Sequence, residues 1–174
     1  MVIVNWVLFF GLALVLTLIL LHASLHKVRD RSDFQSALRG YGLFPERVLV
    51  FWWIVPLFEL VGAVEILVSL GESRLLASLI LGLYSLLIFS NLIVGRDNLD
   101  CGCGGAGTKL SWWMFGRNVA LLLLCIPTSV AGVEVVGNQL LLCTFGALTF
   151  GTLLFVFYLF FNQVLSNAQV LNGD

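Results

Sequence analysis

Five apolar runs, each close to the length that crosses a bilayer, decide what this chain can become. They fall at about Val4 to Leu25, Val48 to Leu70, Leu75 to Val94, Trp112 to Ala131 and Leu140 to Phe161. A hydrocarbon core takes roughly 20 helical residues to span. Inside it every backbone N–H and C=O must be satisfied within the protein, which leaves helices as the economical solution for runs of this length. Composition agrees: 60% of the residues are hydrophobic and only 11% charged, and the mean hydropathy is +1.03. Soluble domains carry about 25% charged residues. The expected class is an all-α integral membrane protein forming one transmembrane domain over residues 1–174, with the lipid bilayer as its main solvent. The net charge of -1 and the lack of a basic stripe argue against a nucleic-acid partner. The first run has no basic segment ahead of it, exceeds the length of a signal-peptide core and ends in no small-x-small site before His26. It is expected to stay as a span.

The connections are unequal. The first, His26 to Arg47, is long and polar, and its DFQSALRGYGLF segment suits a short amphipathic turn at the interface, stopped by Gly40 and Gly42. The second (GESR) and the fourth, around Glu134 to Asn138, are minimal. The third, residues 95–111, contains NLDCGCGGAGT. Spans alternate in direction, so the first and third connections share one membrane face. That puts His26, Lys27, Arg29, Arg96, Asp100, Cys101, Cys103, Lys109, Arg117 and Asn118 on one side. Glu59 lies about two turns inside the second span if Trp52 and Trp53 mark the interface, and His22 could share its depth. Glu72, Arg74 and Glu134, on the opposite face, read as ordinary loop chemistry. The tail after Asn162 reads as short, polar and frayed.

Packing can absorb a lone cysteine anywhere in such a chain. Cys101 and Cys103, separated by one glycine beside Asp100, need another explanation. Thiol–disulfide exchange requires an accessible thiolate and a sulfur able to leave, and the cations of this face would lower a thiol pKa. A bridge between them would close a ring tighter than that of C-x-x-C, and strain makes a disulfide easier to reduce. Gly102, Gly104 and Gly105 permit the backbone such a bridge, or a docking partner, demands. Two alternatives stand beside the redox pair. One is a pair of free structural thiols. The other is a metal site, for which only His22 and His26 lie on that face, at no standard zinc spacing. No metal is expected.

Glu59 sits within a span, where an ionisable group costs roughly 2.5 kcal/mol or more and suggests pairing or function. It reads either as a structural partner of a neighbouring helix or of Lys27, or as a proton donor or acceptor tuning the cysteines. Glu65 reads as interfacial. Arg117 reads either as a snorkelling side chain or as a stabiliser of a thiolate. Cys125 and Cys143, flanking the fourth connection, could approach each other and form a second pair for a relay. Inert packing is the plainer reading.

Five elements in order carry a family resemblance: Lys27 after the first span, LFPER leading into the second, PLFEL with Pro56 and Glu59, DCGCGG at Asp100 to Gly105, and GRN at Gly116 to Asn118. In these the chain resembles the MauE family of methylamine-utilisation membrane proteins, related to the DoxX-like group. The resemblance covers about residues 20 to 125. It departs at Gly104, where the family usually has a bulky aromatic. It implies a DoxX-like four-helix bundle with one added C-terminal span. It also implies a role in forming disulfides in exported proteins beside a thioredoxin-like partner, as the founding members do for the small subunit of methylamine dehydrogenase.

The combined expectation is a membrane thiol–disulfide oxidoreductase or maturation factor. Cys101 and Cys103 would be the exchanging pair, supported by Glu59, Lys27, Arg117, His22 and Asp100. Its expected partners are a thioredoxin-like protein and an exported client. No cofactor is evident; a quinone stays open as an electron acceptor, unsupported by the residues. The alternative is a non-enzymatic scaffold that docks a client, its Cys-Gly-Cys bridge merely shaping the loop. The expected location is the inner (cytoplasmic) membrane with the Cys-Gly-Cys loop outside the cytosol. The positive-inside rule points the other way, because the first and third connections carry Lys27, Arg29, Arg31, Arg39, Arg47, Arg96, Lys109 and Arg117. The redox compartment of a disulfide favours the outside.

Overall fold

A computed structural model describes residues 2–41, 49–96, 110–126 and 138–171. All regular structure in them is helical: α1 Val2–Arg29, α2 Arg31–Gly40, a single 3-10 turn Leu49–Phe51 leading into α3 Ile54–Val68, α4 Leu75–Ile93, α5 Trp112–Leu124 and α6 Asn138–Leu171. Among the described residues, four helical stretches are long and apolar enough to cross a membrane: Ile3–Arg29, Leu49–Val68, Leu75–Ile93 and Gln139–Ala168. The protein is an all-α membrane protein.

Helix α1 is the centre, packed on both α3 and α6, while α4 packs on α3 and α5. Small residues let α1 and α6 approach closely. A Cβ on Gly151 would lie 2.8 Å from the Gly11 carbonyl oxygen, and one on Gly11 would lie 2.5 Å from Phe150. Helix association in lipid relies on such close packing, because hydrocarbon offers no hydrophobic drive between helices. Cys143, at 0% exposure, is one of a Cys143, Ala147, Gly151 series at spacing four on α6. That is the position of a small packing residue.

Several boundaries differ from the sequence reading. Helix α5 stops at Leu124 rather than near Ala131, since Pro127 disfavours helix at Ile126. At 13 residues it rises about 20 Å. Helix α6 runs on to Leu171, so the polar tail after Asn162 continues the helix instead of fraying. The amphipathic segment of the first connection is the helix α2, which buries Phe34 and Ala37. The α3–α4 turn closes with the N–H of Leu70 on the Leu67 carbonyl and that of Gly71 on the Ile66 carbonyl. Leu70 and Gly71 have φ of 53° and 85°. Gly71 is needed twice over, because a Cβ there would also meet Ala13 at 2.8 Å.

Candidate functional site

The bundle is layered. A large apolar cluster joins Leu16, Leu20, Ala63, Ile66, Leu81 and Leu121 from four helices. Towards the face of the first and third connections a smaller one joins Tyr41, Ile88, Leu110 and Met114. Between them each of α1, α3, α4 and α5 places polar groups: Ser24 and Lys27, Glu59, Tyr84 and Ser85, and Asn118. The registers agree. Glu59 is about 9 Å along its helix from Trp53, and Asn118 about 8 Å from Trp113, at 1.5 Å per residue. Both tryptophans are half exposed, as interfacial residues are.

Glu59 organises this layer. It is 0% exposed and Lys27 2%, and Lys27 Nζ donates to Glu59 Oε1 at 2.6 Å. The Tyr84 hydroxyl donates to the same oxygen at 2.6 Å. The ammonium also faces the rings of Phe34, 5.6 Å away, and Tyr84, 5.3 Å away. Phe34 thus roofs the pair from the connection side, which gives α2 a structural task. Lys27 reaches inward because helical side chains lean towards the N-terminus of their helix. Ser24 donates to the Pro56 carbonyl at 2.8 Å, which ties α1 to the first turn of α3. The second carboxylate oxygen, Glu59 Oε2, is buried without a hydrogen bond, as are Asn118 Nδ2 and Arg117 Nε. A buried polar group left with no partner at all costs roughly 1–3 kcal/mol, so each of these calls for one.

Of the residues singled out from sequence, Lys27 and Glu59 come together as an ion pair. Arg117 does not join them. Its Nη1 donates to Asn162 Oδ1 at 2.8 Å and its guanidinium faces the Tyr158 ring, which binds α5 to α6. His22 packs on Phe155 and His26, and no hydrogen bond links it to Glu59. Asp100, Cys101 and Cys103 lie outside the described residues, as does Lys109. Arg96 and Leu110, which bracket that segment in the sequence, are described. Leu110 and Met114 pack with Tyr41 and Ile88, so the first connection meets the end of the third on one face, as the alternation of spans requires. Cys125 and Cys143 are free and buried. Cys125 donates to the Leu121 carbonyl, a local contact that fits packing.

Tyr84 and Asn118 were not chosen as site residues, although a tyrosine mid-span and an asparagine beside Arg117 carry the signal: polar groups that must find partners in lipid. Arg74 was misread. Instead of ordinary loop chemistry it is a staple, 4% exposed. Its Nη1 donates to the Leu124 carbonyl at 2.6 Å and its Nε to the Gly71 carbonyl at 2.9 Å, and its guanidinium faces Phe9 at 5.0 Å. Burial pulls the guanidinium below its ordinary pKa, with Cys125 and Glu72 acting against the shift. Glu65 is likewise not merely interfacial. It accepts from Ser73 Oγ at 2.5 Å and from the Leu76 N–H at 2.9 Å, which caps the start of α4.

Comparison with known proteins adds a family. The family model described as methylamine utilisation protein MauE matches residues 3–131. A methylamine utilization protein MauE of Methylorubrum extorquens is 34% identical over 113 residues, 62% of this chain and 61% of the relative. One of Paracoccus denitrificans is 28% identical over 123 residues, 67% of this chain and 65% of the relative. The chain therefore matches somewhat less than two thirds of the length of these relatives. No solved structure matches.

Proposed function

We propose, from the premise that this chain belongs to the MauE family, that it is a membrane accessory factor for methylamine utilisation or a related pathway, acting by thiol–disulfide exchange at Cys101 and Cys103. The observation that carries the reading is the pairing of motif and framework. Two cysteines one residue apart sit in a glycine-rich segment. That segment is bracketed by Arg96 and Leu110, on the face where the bundle buries its Lys27–Glu59 pair. In the exchange, a client thiolate attacks one sulfur of an oxidised Cys101–Cys103 pair and releases the other as thiolate. A second client thiolate then attacks the mixed disulfide. The client leaves oxidised, and the pair is left as a dithiol that an oxidised thioredoxin-like partner returns to the disulfide. Lys27, Glu59 and Phe34 hold α1, α2 and α3 in register, a positioning role.

The protein resides in the inner membrane with the cysteine segment outside the cytosol. Two cations that argue against this orientation are engaged inside the bundle: Lys27 with Glu59 and Arg117 with Asn162. Trapping tests the chemistry. Changing either Cys101 or Cys103 to alanine should leave the other in a mixed disulfide with a client or a thioredoxin-like protein, seen as a band that reductant removes. A Cys101→Ser/Cys103→Ser double variant that retains full client maturation would instead establish the scaffold reading.

A further inference from the structure

The polar layer holds more hydrogen-bonding capacity than its own residues use. Glu59 Oε2 offers an acceptor and Asn118 Nδ2 a donor, both buried and both unmet by protein. Their residues are exposed by 0% and 3%. Apart from Tyr41 above and Cys125 below, the buried members of the two flanking clusters are hydrocarbon or thioether side chains. Glu59 precedes Ala63 by one turn on α3, and Asn118 precedes Leu121 by nearly one turn on α5. Ala63 and Leu121 belong to the same apolar cluster, so the two unmet groups top the same floor. The complement of a carboxylate oxygen and an amide N–H is a small neutral group that both donates and accepts. Arg117 Nε, one residue along α5, is a second unmet donor, and it too calls for an acceptor.

We propose that this layer is an internal water-binding site, in which water donates to Glu59 Oε2 and accepts from Asn118 Nδ2. Buried water in proteins typically makes about three hydrogen bonds to polar groups left unmet by the chain. The site makes the bundle asymmetric. The half on the side of Tyr41 and Leu110 is hydrated around the Lys27–Glu59 pair, and the half beyond Leu20, Ala63, Leu81 and Leu121 is dry. Water there gives Glu59 a hydrogen-bonded neighbour other than Lys27 and Tyr84. This inference does not depend on thiol exchange.

Radiolytic hydroxyl-radical footprinting of the full-length protein in lipid nanodiscs tests it, because radicals made from bound water mark the side chains beside it. After soaking in oxygen-18 water, Tyr84 should take up labelled oxygen severalfold faster than Phe9 and Phe155, each corrected for its intrinsic reactivity. In Asn118→Leu the Tyr84 rate should fall severalfold, while Trp112 and Trp113 at the interface keep theirs. Wild-type Tyr84 labelled no faster than Phe9 overturns the proposal, and this arm decides the matter even if the leucine variant does not fold. Unchanged Tyr84 labelling in a folded Asn118→Leu overturns it as well. So does a hydroxylated organic compound recovered in equimolar amount from the wild type and lost from that variant, since that compound would then be the occupant.

Discussion

Lys27 and Glu59 illustrate how an ion pair behaves where water is scarce. Removing two charges from water costs several kcal/mol each, and their attraction repays this only while both remain. Glu59 Oε1 receives two donors within 2.6 Å, so its charge is met on one side by an ammonium and a phenol. Lys27→Met leaves that carboxylate without its cation and should cost about 3–5 kcal/mol. Glu59→Gln strands the ammonium between two rings and should cost a similar amount. The Lys27→Met/Glu59→Leu double variant should recover most of the loss, since an apolar replacement of a buried pair is often neutral. Unfolding in mild detergent, followed by a maleimide dye reacting with Cys125 and Cys143 as they become exposed, measures all three in a Cys101→Ser/Cys103→Ser background. Losses that simply add in the double variant would contradict the pairing. Tyr84→Phe removes a single hydrogen bond to a charged group and should cost about 1.5–3 kcal/mol.

Helix ends and helix crossings set the architecture one level up. At about 20 Å, α5 is shorter than a hydrocarbon core about 30 Å thick, and the last carbonyls of a helix need donors from outside it. Arg74 supplies one by capping Leu124 while also holding Gly71. Arg74→Lys keeps the charge but loses the fork that reaches two carbonyls at once. It should cost about 1–3 kcal/mol by leaving a buried acceptor unmet, with earlier maleimide-dye reaction at Cys125 as the readout. At the α1–α6 crossing, Gly151→Ala pushes a Cβ against the Gly11 backbone and should cost about 1–3 kcal/mol. Gly116→Ala, with nothing within 4 Å, should be neutral or stabilising by up to about 1 kcal/mol. Paired melting curves of the two alanine variants separate crowding from helix propensity. Four of the five expected runs are helices long and apolar enough to cross a membrane, and hydropathy alone makes them legible, whereas the fourth run forms only the 13-residue α5. Arg74 was not legible, since a cation between two spans looks the same whether it meets water or a neighbour's carbonyls. Glu59 was legible as a buried acid. Its pairing with Lys27 was one of the readings open from sequence, and the structure bears it out; the Tyr84 hydroxyl depended on helix rotation, which near-uniform apolar runs leave unspecified.

At the scale of the molecule the open quantity is direction across the membrane, and two physical rules compete for it. The positive-inside rule counts cations near span ends. Lys27 is inside the bundle and Arg117 is tied to α6, yet Arg29, Arg31 and Arg39 remain on α1 and α2, and Arg31 lies over Trp52 at 5.0 Å. The opposite face presents Arg74, which is itself buried. Charge alone therefore still favours a cytosolic cysteine segment. The proposed exchange opposes it, because a strained, reducible disulfide would persist where the thiol pool is oxidising and be reduced in the cytosol. The fold supplies its own controls for deciding, since Cys125 and Cys143 are buried thiols that a polar reagent should not reach in the folded protein. Intact cells treated with a membrane-impermeant maleimide should show no labelling at first, then labelling at Cys101 and Cys103 after mild reductant, with Cys125 and Cys143 silent throughout. Labelling of Cys101 and Cys103 only after the membrane is opened, with no reductant needed, would place a reduced pair in the cytosol. The cations of α1 and α2 would then have set the topology, and exchange with exported clients would be ruled out on geometry alone.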